Sequence, residues 1–184
     1  ITTVQALQAT SGTFSADSTI NSLTVGKGAN SVASNTVLGV NALDAAVTGA
    51  NNTAIGYLTL TSNTSGTECV AVGSGALSNN TTGEHNTAVG KSALTSNTTA
   101  SDNTAVGEAS LQNNTTGQSN TSVGRNALIS NTTASNNTAV GKSALEANST
   151  GTANTGVGSR SLEDTTTGSH NTAVGYQAMQ LNTT

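Results

Sequence analysis

The chain of 184 residues has no proline and no tryptophan, one cysteine, one methionine, one phenylalanine and two tyrosines. Aromatic residues make up 2% of it and charged residues 8%. Each shortage excludes something. With Cys69 as the single cysteine, no intrachain disulfide forms. Five basic residues against nine acidic ones give a formal charge of −4, which argues against a nucleic-acid partner. No apolar run reaches the roughly 18–20 residues of a membrane-spanning helix and no secretory leader is visible, so membrane insertion is not expected. Catalysis finds no foothold either. His85 and His170 are the only histidines. Neither lies near a Ser–Asp pair, and no phosphate-binding loop or GGxGxDxUx calcium repeat occurs. The expectation is a protein that is not an enzyme and uses no cofactor or metal.

What is present is Ser, Thr, Asn, Gly and Ala in strict order. Without a period, such a composition reads as disorder. Here NTAVGKSAL at residues 86–94 returns letter for letter at residues 137–145. Aligning on the glycine gives Gly39, Gly56, Gly73, Gly90, Gly107, Gly124, Gly141, Gly158 and Gly175, every step being 17 residues. A period that short cannot make a self-standing domain. It marks a solenoid, in which each coil buries its apolar face only against its neighbours.

Reading down the columns separates inside from outside. The position before the glycine is aliphatic throughout: Leu38, Ile55, Val72, Val89, Val106, Val123, Val140, Val157 and Val174. Four residues after the glycine come Leu43, Leu60, Leu77, Leu94, Leu111, Leu128, Leu145, Leu162 and then Met179. Both columns are expected to point inward and form the core. The position just after the glycine mixes Lys91, Glu108, Arg125, Lys142 and Tyr176 and must face water. NTAVG reads as a short strand. The GxxALxx segment holds good helix formers, which leaves one helical turn or a tight corner in each coil. The fold class expected is an all-β solenoid or β-roll of 17-residue coils.

Asn86, Asn103, Asn120, Asn137, Asn154 and Asn171 lead the strands and are expected to stack into an amide ladder. Asn63, Asn80, Asn97, Asn114, Asn131 and Asn148 sit in NTT-type turns and form NxS/T sequons. They read as turn chemistry on the rim, and in a glycosylating organism as sugar acceptors along one face. Residues 1–34 fall off the grid and read as adaptor or cap strands, with Phe14, Ile20, Leu23 and Val25 as apolar points and a turn at Gly26 and Gly28. Residues 35–184 then hold nine repeat units, the last incomplete.

One Val-type and one Leu-type side chain per coil make a thin core against the entropy of ordering the coil. Further burial is expected from a lateral interface between identical chains, giving a homo-oligomer. His85 and His170 share a column about 24 Å apart along the axis, too far to share a metal within one chain. They read as exposed loop residues. Cys69 takes a strand-leading position, as a small buried thiol or an interchain bridge.

The pattern NTAVGxxALxxNTTGxx, introduced by LTVGKG, resembles the repeats of bacteriophage tail-fibre proteins from about Leu23 to Thr184. It is also similar to the NSVAIGxxS head repeats of trimeric autotransporter adhesins. Two places depart from it: Cys69-Val70-Ala71-Val72 replaces the leading Asn-Thr, and Leu162-Glu163-Asp164-Thr165 lacks the turn asparagine. The resemblance implies a parallel homotrimer, a fibre shaft or host-attachment segment, and a place outside the cell on a virion. A cell-surface receptor or glycan is the implied partner. Two other readings compete. One is a bacterial or archaeal surface filament or adhesin, polymerised end to end and glycosylated on its turns. The other is an ice-binding solenoid, for which the NTT column offers a hydroxyl grid but the charged neighbouring column is unfavourable.

Overall fold

The computed structural model describes residues 18–20, 22–45 and 47–182. It contains strands β1 (Ser18–Ile20), β2 (Leu23–Gly26), β3 (Thr36–Gly39), β4 (Thr53–Ile55), β5 (Val70–Val72), β6 (Thr87–Val89), β7 (Thr104–Val106), β8 (Thr121–Val123), β9 (Thr138–Val140), β10 (Thr155–Val157) and β11 (Thr172–Val174). All belong to one sheet, ordered as in the sequence. From β3 onward every pairing is parallel and advances by one repeat, so that Thr87, Ala88 and Val89 face Thr104, Ala105 and Val106. The chain is an all-β solenoid with one coil per repeat.

Each strand stops where it does because of the glycine that follows. Gly90 has φ 139°, a conformation side chains disfavour, and a Cβ there would lie 2.4 Å from the Gly107 carbonyl oxygen. The coil must turn at that point, and only glycine lets two successive coils turn so closely.

The GxxALxx segment forms a corner rather than a helical turn. Ser92 and Leu94 both adopt left-handed backbone, with φ of 58° and 50°, and the same two columns repeat this along the rod. Such a residue costs about 1–2 kcal/mol against right-handed geometry. Complete burial of the leucine offsets it. The corner's backbone groups bond to the next coil instead of within a helix: Leu94 N–H donates to Ser110 O at 3.1 Å and Ser96 N–H to Gln112 O at 3.0 Å.

The inward column of the strand is also different from the one expected. Leu43 through Leu162 are fully buried, but their strand partners are the alanines: Ala54, Ala71, Ala88, Ala105 and Ala139 are completely buried too. The aliphatic residues Ile55, Val72, Val89, Val106, Val123, Val140 and Val157 lie half-buried on the outer face. Leu38 is 41% exposed and Val174 is 70% exposed. A strand alternates its side chains, so Thr and Val share one face and Asn and Ala the other. Space decides the phase. At Gly156 an added Cβ would lie 3.2 Å from Ser161 O and 3.4 Å from Leu145 Cγ, so even a methyl group fits tightly and nothing larger does. The interior holds one leucine per coil, and the strand facing it is limited to small residues.

The two ends differ. At the N-terminal end β2 runs antiparallel to β3, with Val25 opposite Leu38, and β1 runs antiparallel to β2. Ala29 N–H donates to Leu43 O and Asn30 Nδ2 to Val47 O, each at 3.0 Å, so the first coil is covered. Gly26 belongs to β2, while Gly28 makes the turn at φ 78°. Residues 1–17, Phe14 among them, lie outside the described residues. At the other end β11 pairs only with β10 among the described residues. There Tyr176 and Leu181 are exposed, and Met179, which ends the leucine column, is 45% exposed because no described coil covers it.

Candidate functional surface

The interior is lined by two columns of asparagine. In the strand-leading column each Oδ1 accepts the backbone N–H of the next coil's asparagine: Asn103 N–H donates to Asn86 Oδ1, Asn120 N–H to Asn103 Oδ1 and Asn137 N–H to Asn120 Oδ1, all at 3.0 Å. Each Nδ2 closes its own coil, as Asn137 Nδ2 does to Gly151 O at 2.9 Å. Asn86 through Asn154 in this column are completely buried. A stacked column was expected here; its bonds run mainly from amide to backbone, with amide-to-amide bonds from Asn120 to Asn103 at 3.2 Å and from Asn171 to Asn154 at 3.1 Å.

The turn column reverses expectation. Asn63, Asn80, Asn97, Asn114, Asn131 and Asn148 are fully buried. Their amides bond directly to one another, Asn80 Nδ2 to Asn63 Oδ1 at 3.0 Å, Asn97 Nδ2 to Asn80 Oδ1 at 2.9 Å, and so on to Asn148. Each Nδ2 also donates to a carbonyl three residues on, such as Asn114 to Gly117 O at 2.9 Å. An N-linked sugar needs an accessible Nδ2. These nitrogens point inward and are already bonded twice or, at Asn63, once, so these six asparagines are not glycan acceptors in the folded chain. The signal was available in the pattern: in a solenoid the turns stack as the strands do, and a turn asparagine present in coil after coil has a neighbour above and below.

Hydroxyls of the NTT column also bond along the axis. Thr81 Oγ1 donates to Thr98 O at 2.9 Å and Thr115 Oγ1 to Thr132 O at 3.0 Å. These first threonines of each NTT are not free to form a grid toward solvent, whereas the second ones, Thr82, Thr99, Thr116 and Thr133, are exposed.

The outer surface carries three columns side by side. The first holds Glu68, His85 and Asp102 in successive coils, with His85 Nε2 3.7 Å from Glu68 Oε2 and His85 Nδ1 3.3 Å from Asp102 Oδ1. All three are about half exposed, so the pairing contributes little stability even when the histidine is charged. The second is the Thr–Val face of the strands. The third holds Lys91, Glu108, Arg125 and Lys142, with Arg125 Nε 3.5 Å from Glu108 Oε2. His170 lies five coils from His85 in the first column, as the spacing required. Among the described residues no three His, Cys, Asp or Glu side chains are placed to hold a metal ion, and no helix is long and apolar enough to cross a membrane.

Cys69 occupies an asparagine place in the strand-leading column and is completely buried. Its Sγ lies 3.4 Å from Gly83 O, the carbonyl that an asparagine Nδ2 would reach. Burial pushes the thiol up to about 11 against hydrogen bonds from Asn86 that favour the thiolate. A thiol so placed forms no interchain bridge unless the coil opens.

No family model, no curated protein and no solved structure matches this chain.

Proposed function

We propose that this chain is a non-enzymatic structural segment of an extracellular fibre, a shaft or host-attachment piece of the tail-fibre kind, assembled as a homotrimer. One observation carries the reading: from β3 to β11 every coil stacks in unbroken parallel register. Nine rungs at the usual strand spacing give a rod about 43 Å long. Each added repeat lengthens such a rod without changing its cross-section, which suits a spacer that holds a contact away from a surface. A receptor or glycan contact fits the outer columns whose residues change from coil to coil, such as Tyr57, Ser74, Lys91 and Glu108, because their identity is free of any packing demand.

The filament alternative is weakened at two points. The six turn asparagines from Asn63 to Asn148 are buried, which leaves exposed Asn79 and Asn113 as the sequon asparagines beside them, and end-to-end growth through β3 meets the antiparallel hairpin already on that edge.

Electron microscopy of the purified chain with a mass measurement tests the proposal. Straight rods of three chains with a solenoid part about 43 Å long are expected. Compact particles, or polymers joined end to end, would overturn it.

A further inference from the structure

The solenoid leaves one face in an unusual condition. Along β4 to β10 the outward position at the end of each strand is always Ile or Val, half-buried and never charged. Columns on either side point outward as well, yet they change at nearly every coil and carry Glu68, His85 and Asp102 on one flank, Lys91, Glu108 and Arg125 on the other. Each column inside the rod has a stated reason to be constant: the leucine fills the core, the alanine fits the narrow space, the asparagines bond along the axis. The outer Val column has none of these reasons. Strand propensity does not supply one, because threonine would serve equally well there. An unbroken aliphatic stripe in a solvated setting marks a surface that another molecule covers.

We infer that this Thr–Val face is where copies of the chain join side by side. The inference deepens the fibre reading by naming the partner, a second copy, and the surface. Pitch selects the occupant. A partner must match the Val column at every rung over about 40 Å, and a rod with the same coil height stays in step along its whole length. The face is about 43 Å by about 10 Å, on the order of 400 Å² per copy before side-chain relief is counted, so a pair of faces gives about 800 Å², the low end for a specific contact, and association is expected to be weak and concentration-dependent. The open end at β11 offers only about 250 Å² for a coil of this circumference, too little to hold two rods together. The N-terminal end is closed by its hairpin.

The experiment is sedimentation equilibrium on the intact chain, on Val89→Lys/Val123→Lys, and on Thr99→Lys/Thr133→Lys, whose new charges fall on an exposed turn away from this face. Far-ultraviolet circular dichroism follows the fold of each. The parent and the turn variant are expected to associate, and the face variant to be a folded monomer. Should lysine unfold the chain, Val89→Thr/Val123→Thr keeps the strand chemistry and is expected to weaken association roughly tenfold or more. A parent that stays monomeric at all concentrations overturns the inference and the trimer with it. A face variant that is folded and still associates as the parent does overturns the inference alone, and the fibre reading then stands on another contact.

Discussion

The asparagine column that leads the strands and the one that sits in the turns are both buried, yet they respond differently to interruption. Cys69 breaks the first. Its Sγ reaches Gly83 O, Asn86 directs N–H groups at the sulfur, and no side-chain atom of Asn52 or Asn86 is left buried without a partner. Thr165 breaks the second. Two buried atoms lose their partners at that point, Asn148 Oδ1 and Thr165 Oγ1, and Asn182 Nδ2 in the same column has no amide oxygen at residue 165 to reach. Bond type explains the contrast. A strand-leading amide bonds mainly to backbone, which is present whatever residue stands there. A turn amide bonds to another amide, so removing one leaves the oxygen on one side without its donor and the nitrogen on the other with only its own turn carbonyl. A ladder of side chains behaves as a chain with each member a single point of failure.

The strongest way to break this comparison is to copy both natural interruptions into the middle of the rod. Asn114→Thr would leave Asn97 Oδ1 and the new hydroxyl buried without partners and reduce Asn131 Nδ2 to its bond with Ala134 O, at about 1–3 kcal/mol for each orphan. A loss near 3 kcal/mol is expected for it. Asn120→Cys, repeating the solution at Cys69, should lose about 1 kcal/mol. Urea midpoints at unchanged slope measure both. Equal losses would show that the two columns are alike after all.

A repair is the complementary test, with a smaller effect. Thr165→Asn supplies a donor for Asn148 Oδ1 and an acceptor for Asn182 Nδ2 in one step. A gain of about 2 kcal/mol is expected, with slower amide exchange in the last two coils. No gain would mean that the orphaned atoms carry no penalty, and the contrast drawn between the columns would lose its energetic meaning.

Much of this architecture can be read from the repeat. A period of 17 without insertion forces coils that stack in register, and the leucine column is buried in all eight coils that hold leucine. The phase of the strand was less legible. Val89 is larger and more apolar than Ala88, so hydrophobicity alone places it inside. The width of the coil overrules that preference, and width depends on corners that no single residue announces: leucine in left-handed backbone at Leu94 is not foreseeable from its propensities. The pairing of Asn86 with Ala88 across one intervening residue did mark the inner face, because a buried amide and a small residue fit beside the leucine. The turns at Asn97 and Asn114 misled for a related reason. Turn asparagines usually meet water, but a turn stacked between two copies of itself meets only more turns.

The smallest effect at neutral pH comes from Cys69→Asn, which would make the strand-leading column continuous. The exchange should shift stability by no more than about 1 kcal/mol there, since the sulfur already meets its neighbours. Alkali separates the variants. Burial raises the thiol from its ordinary 9.0 to about 11 in the folded chain. Once the pH passes 9.0 the unfolded chain sheds this proton while the folded chain keeps it, so the protein is fully stable below 9.0 and weakens between 9.0 and about 11. The slope is at most about 1.4 kcal/mol per pH unit. Every other side chain is the same in both proteins, so the difference between parent and Cys69→Asn isolates the thiol. Urea midpoints taken below pH 9.0 and near 11 should fall further in the parent. Parallel curves would mean that the thiolate is tolerated inside the coil, and that this column accommodates even a charge where the turn column fails at a missing amide.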